Sequence, residues 1–105
     1  MTDKPPLASR VKRAIRDVDA SADVVLYGSR AREEAHPTSD WDFLILLDTS
    51  PSQALENRLR QCLYEIELET GEVINPIVRE RASWRDEDAP ETLFRVAIRR
   101  EGVEL

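Results

Sequence analysis
One cysteine and one histidine stand in a chain of 105 residues, and that scarcity removes whole classes of chemistry. Cys62 alone cannot form an internal disulfide, and with His36 it is too little for a multi-cysteine or Cys/His zinc cluster. The donors left for a metal are carboxylates, which favour magnesium or manganese. Positive charge is also short. Lys and Arg number 15 against 21 Asp and Glu, so the net charge of -6 repels a phosphate backbone over most of the surface and speaks against direct nucleic-acid binding. No apolar run approaches the length that spans a bilayer, and no basic-then-apolar leader opens the chain, so the expected setting is the cytoplasm without membrane contact. Internal repeats, low-complexity tracts and linkers are absent as well, and residues 1–105 are expected to form one domain.

What is present is patterned. A hydrophobic fraction of 41% beside a charged fraction of 34% fits a globular chain with a single modest core. Leu7, Val11, Ile15 and Val18 recur at helical spacing, which predicts an amphipathic helix with a basic outer face. Residues 23–28, DVVLYG, predict a short buried strand stopping at glycine, and 29–35, SRAREEA, a helix capped by Ser29 and broken at Pro37. The run WDFLILLD, 41–48, is apolar on both faces from Phe43 to Leu47, which implies a central strand covered on both sides. A helix start at 48–51 then leads into Leu55, Leu59, Cys62, Leu63 and Ile66, one helical face that ends at Gly71. In EVINPIV, 72–78, Pro76 removes a backbone donor and points to an edge strand or a bulge. The last element reads as a helix with Leu93, Val96 and Ala97 toward the core and Gly102 as its stop. The expected order is α-β-α-β-α-β-α, an α/β domain.

The chemistry gathers between Gly28 and Asp48. On an extended strand Asp40 and Asp42 point one way while Trp41 and Phe43 point the other. Their α-carbons then lie roughly 6.5–7 Å apart, close enough for two carboxylates to converge on one magnesium ion at oxygen distances of about 2.1 Å. Gly28 lets the backbone approach a ligand, and Ser29 offers a hydroxyl at the start of a helix whose leading N–H groups attract anions. Arg30 and Arg32 add positive charge beside that anion site. Together these residues describe a site for a metal-bound nucleotide.

Gly28-Ser29, ten residues, then Asp40-Trp41-Asp42 resembles the signature of the polymerase-beta-like nucleotidyltransferase superfamily, and most closely its minimal (MNT) branch. YGSRAR, SDWDFLILL and the terminal IRREGVEL all carry that likeness. No Gly-Lys-Ser/Thr follows the glycine, so the turn is not a Walker A loop. The resemblance implies a small mixed sheet flanked by helices and magnesium-dependent transfer of a nucleoside monophosphate, AMP from ATP in the first instance, with pyrophosphate leaving. It implies that Gly28, Ser29 and Arg30 hold the phosphates and that Asp40 and Asp42 are the catalytic, metal-binding pair, with Mg2+ or Mn2+ as the ion. It also implies a partner, because 105 residues leave no room for an acceptor-holding domain. Members of this branch often pair with an all-helical HEPN protein as the antitoxin to its toxin.

The chain departs from the branch at two places. Glu33 stands where glycine is frequent, and the third carboxylate of active members is most plausibly replaced by Asn75, an amide that cannot take a proton at neutral pH. Glu72 and Glu67 are the acids nearest in sequence to that position. Two functions follow, an enzyme that modifies its partner or a nucleotide-holding module that neutralises it by contact, with a regulatory nucleotide sensor as a third. Other residues have plain structural roles to play. Arg32 reads as a solvated helix face, Cys62 as core, Trp84 as a pin for the last helix, and Glu65, Glu67 and Glu69 as a solvated surface.

Overall fold
The computed structural model describes residues 7–32, 39–85 and 92–105. Glu33, His36, Pro37 and residues 33–35 of the helix expected over 29–35 lie outside them, and the described part of that stretch, 29–32, forms a turn rather than a helix.

Helix α1, Leu7–Val18, forms as its apolar spacing demands, with Val11 and Ile15 wholly buried. Strand β1, Asp23–Tyr27, alternates half-buried and buried positions, and β2, Trp41–Leu47, is buried without interruption from Phe43 to Leu47. Helix α2, Gln53–Thr70, starts where Ser52 Oγ accepts the Leu55 N–H at 3.1 Å. It ends at Gly71, whose left-handed φ of 74° lets its N–H reach Glu67 O. Strand β3, Ile74–Glu80, runs straight into a four-residue helix α3, Arg81–Trp84. Helix α4, Leu93–Glu101, is capped by Thr92 and followed by β4, Val103–Glu104.

The four strands form one mixed sheet in the order β3-β2-β1-β4. β2 is antiparallel to β1 and parallel to β3, with α2 as the crossover, and β4 pairs antiparallel with the outer side of β1. The central place of β2 agrees with its two-sided apolar sequence, and Pro76 does sit on an edge strand.

Alternation along the strands divides the core. Val24, Leu26, Phe43, Ile45 and Leu47 face α1 and α2, where Leu59, Leu63 and Ile66 meet them. Leu44 and Leu46 face the other way and pack with Ile98 of α4, joined by Val25, Tyr27, Ile77, Trp84 and Phe94. The fully buried ones among them, such as Phe43, Leu44 and Ile45, each contribute about 1.5–3 kcal/mol relative to exposure, and the partly buried ones less. Among the described residues no helix is long and apolar enough to cross a membrane.

Three expectations are corrected. Leu93 is 91% exposed and Ala97 is exposed, because α4 turns Phe94 and Ile98 to the sheet instead. Gly102 does stop α4 as expected, but the chain then enters β4, a strand the expected order lacked because it is too short to leave a pattern in sequence. Glu67 is no idle surface acid: its Oε2 accepts the Ile74 N–H at 2.9 Å and caps the entry to β3.

Candidate functional site
The strand pairing lines up Tyr27, Asp42 and Asn75 side by side across β1, β2 and β3. Two residues earlier in the chain, Asp40 precedes β2 on the same face as Asp42, while Trp41 and Phe43 stack on the opposite face with ring centroids 6.4 Å apart. The acid pair therefore sits at the mouth of the central strand, on the face that carries Leu44 and Leu46 further in.

Asn75 joins the two acids. Its Nδ2 donates to Asp40 Oδ2 at 3.0 Å and to Asp42 Oδ1 at 3.2 Å, so both carboxylates reach toward one point. Among the described residues no glutamate takes the third place. Glu67 is held by the Ile74 N–H, and Glu72 Oε2 accepts the Trp41 indole N–H at 3.2 Å. Among the described residues, no three of His, Cys, Asp and Glu gather as a metal-holding group. The donors present still fit a hard divalent cation, because magnesium is commonly held by one or two carboxylates together with substrate phosphates, and Asp40 and Asp42 converge in that manner.

Gly28 closes the site from the side of β1. Its φ is 78°, a conformation that side chains rarely adopt, and a Cβ there would lie 2.6 Å from Asp42 Oδ2. The glycine thus does two things at once: it turns the chain out of β1 and leaves space for the Asp42 carboxylate. Its carbonyl accepts the N–H groups of Ala31 at 3.1 Å and Arg32 at 3.2 Å, the bonding of a helix's first turn. Gly28 rather than Ser29 therefore accepts these bonds, and Ser29 to Arg32 form a turn. One residue on, the Arg30 guanidinium lies over the Trp41 ring at 4.5 Å and donates to Ser39 O at 2.9 Å. Arg32 points elsewhere and pairs with Glu101 of α4 at 2.9 Å.

Tyr27 is the residue that the sequence reading missed. It shares the face and the strand row of Asp42, and Phe94 meets its ring edge-on at 5.4 Å. Burial, and secondarily the negative charge of Asp42, push its phenol above the ordinary value against the opposing pull of Arg79. Alternation from Asp42 through the antiparallel partner would have found it, had the pairing been known. Trp84 packs edge-to-face with Phe94 at 5.8 Å, the pinning role expected of it. Cys62 is half-buried and donates to Leu59 O, and burial raises its thiol pKa, which suits a packed rather than a reactive group. A surface groove lined by Arg60, Tyr64, Glu67 and Pro76 lies along α2 and the β3 edge, away from the acids' face.

Residues 8–101 match the family described as the nucleotidyltransferase domain. No curated protein is similar enough to the chain to count as a match. Among solved structures, the chain resembles one from a toxin-antitoxin crystallised with AMP-PNP, with a TM-score of 0.65 at 15% identity over 91% of this chain and 69% of that one. It also resembles a chain of the toxin-antitoxin MntA-HpeT carrying two aspartate-to-glutamate changes, with a TM-score of 0.63 at 12% identity and the same coverage. At these identities the likeness establishes the fold.

Proposed function
The chain belongs to the nucleotidyltransferase domain family, and from that premise we propose that it is a magnesium-dependent transferase of the minimal MNT type, moving AMP from ATP to a partner macromolecule. The observation that carries this proposal is the convergence of Asp40 and Asp42 on one point beside the positive-φ turn at Gly28. In this account Asp40 and Asp42 hold the ion, with manganese as an alternative to magnesium. When bound, the ion supplies charge neutralisation on the triphosphate. The Gly28 turn and the Ser29 hydroxyl receive the terminal phosphates, while the Arg30 guanidinium, expected among the phosphate ligands, instead lies over Trp41 on the opposite face and holds the turn in place. An acceptor hydroxyl attacks the α-phosphorus, its oxygen bonds to phosphorus, and the bond to the pyrophosphate oxygen breaks. The hydroxyl proton passes to solvent, since Asn75 cannot accept it. What the domain contributes is alignment and electrostatics.

The acceptor is a protein partner. A toxin-antitoxin chain of the same fold crystallised with AMP-PNP supports the adenine nucleotide and the pairing with a toxin; the partner in this proposal is a helical HEPN-type protein. Asn75 favours a second function, in which the domain keeps its nucleotide but neutralises the toxin by contact.

Transfer from α-labelled ATP with magnesium, in a lysate of the source cells, separates the two. Label on a protein that vanishes with Asp42→Asn establishes the transferase. Label that appears only with Asn75→Asp identifies a binding module whose missing carboxylate has been restored. Absence of both label and ATP binding rejects the proposal.

A further inference from the structure
Three segments carry the candidate site: the turn after β1, the entry to β2 and the entry to β3. Behind the acids, on the other face, the same three are tied together. The Arg30 guanidinium from the first lies 4.5 Å over the Trp41 ring and donates to Ser39 O at 2.9 Å, both in the second. Glu72 from the third accepts the Trp41 Nε1–H at 3.2 Å and pairs with the same Arg30 nitrogen at 3.5 Å. The Trp41 backbone N–H is held by Val73 O at 2.8 Å, and Phe43 stacks nearly parallel to its ring. The Arg30 side chain is 17% exposed and that of Glu72 34%, so the contact is partly shielded from solvent.

We infer that Arg30, Trp41 and Glu72 form a clasp that sets the distance between the phosphate turn and the acid pair, so that Arg30 and Glu72 serve as positioning residues for the nucleotide. The inference rests on the function proposed above. Trp41 is the lever, because it stands between Asp40 and Asp42 in sequence and its side chain occupies the opposite face of the strand. Fixing its indole fixes the backbone on which both carboxylates turn. Arg30 follows Ser29 directly, so the guanidinium that grips Trp41 also fixes where the Ser29 hydroxyl lies. Glu72 completes the clasp by balancing the arginine's charge, and in doing so its carboxylate is drawn away from the acid pair. That explains why this glutamate, close in sequence to Asn75, does not supply a third carboxylate.

The test is a double-mutant cycle read by calorimetric titration with AMP-PNP and magnesium, with melting temperatures taken alongside. Glu72→Gln and Arg30→Lys are each expected to weaken binding about five- to tenfold. Their combination is expected to be no weaker than the poorer single variant, at a nearly unchanged melting temperature. Trp41→Phe keeps the ring beneath Arg30 but removes the N–H to Glu72. It is expected to lose about two- to threefold and carries the same test should either charge variant fail to fold. Wild-type affinity in both Glu72→Gln and Trp41→Phe, with Arg30→Lys weakened, would overturn the clasp and make Arg30 a direct phosphate ligand. Fully additive losses would overturn it too. A wild-type chain that binds no AMP-PNP would instead remove the nucleotide function itself, and the clasp's role with it.

Discussion
Gly28 leaves no room for a methyl group, and the atom in the way is the far end of a side chain, Asp42 Oδ2, at 2.6 Å from where a Cβ would stand. Gly28→Ala therefore leaves the core intact but pushes the carboxylate off its place and strains a backbone at φ 78°. The expected cost is about 1–2 kcal/mol of stability, with a larger proportional loss of magnesium-dependent ATP binding, measured by urea denaturation and calorimetry on the same preparation. Wild-type affinity in that variant would mean that Asp42 does not need its present position. Tyr27, its neighbour, gives a pH signature. The folded chain holds the phenol proton more tightly than the unfolded chain does. The associated stability is fully present below the unfolded value near pH 10 and is lost as pH rises through the higher folded value. Urea midpoints followed above about pH 10 should fall more steeply for wild type than for Tyr27→Phe; parallel curves would show that the environment of Tyr27 does not disfavour the phenolate.

At the scale of elements, Gly102 shows what a sequence conceals. Its φ of -65° is ordinary, and the reason for glycine is space: a Cβ would lie 2.6 Å from Ile98 O and 2.8 Å from Val25 Cγ1. The end of α4 is packed directly on β1, and there the obstacle is backbone. Gly102→Ala is expected to destabilise the domain by about 1–3 kcal/mol through overpacking, read from the urea midpoint. No measurable change would mean that α4 and β4 are not firmly docked. The same region explains the limits of reading this fold from sequence. α1, α2 and β2 were legible because their apolar residues recur over several turns or fill a whole strand, and β3 because Pro76 marks an edge. α4 is short and its apolar residues surround much of its first turns, so spacing does not choose a face: Leu93 is 91% exposed while Phe94 and Ile98 take the sheet. β4 has two residues and no pattern of its own, only the pairing with Val25 and Leu26. The candidate site was legible where local spacing sufficed, at Gly28, Asp40 and Asp42, whereas Asn75 came from the resemblance to the family, and only the structure shows it beside Asp42. Tyr27 and the Arg30–Trp41–Glu72 contacts depend on long-range pairing that no local pattern reports.

Across the whole molecule the sheet has two different ends. The acids, Asn75 and the Gly28 turn occupy one. At the other, Arg81 binds Asp23 Oδ2 at 2.9 Å, Ser21 O at 2.6 Å and the Asp48 carboxylate, joining the start of β1, the end of β2 and the exit of β3. The hydrogen bond to Asp23 is the main cause of its raised pKa. Arg81→Met is expected to lower the melting temperature while leaving ATP affinity within about twofold; loss of affinity without loss of stability would contradict this division of labour between the two ends.

Asp40, Asp42 and the Gly28 turn are proposed here to make a metal-dependent nucleotide site. Calorimetric titration of wild type and Asp42→Asn with AMP-PNP, each with and without magnesium, tests it most directly. Wild type is expected to bind only with magnesium, and the variant to lose at least about tenfold in affinity. Equal binding by both proteins, or magnesium-independent binding by wild type, would contradict it.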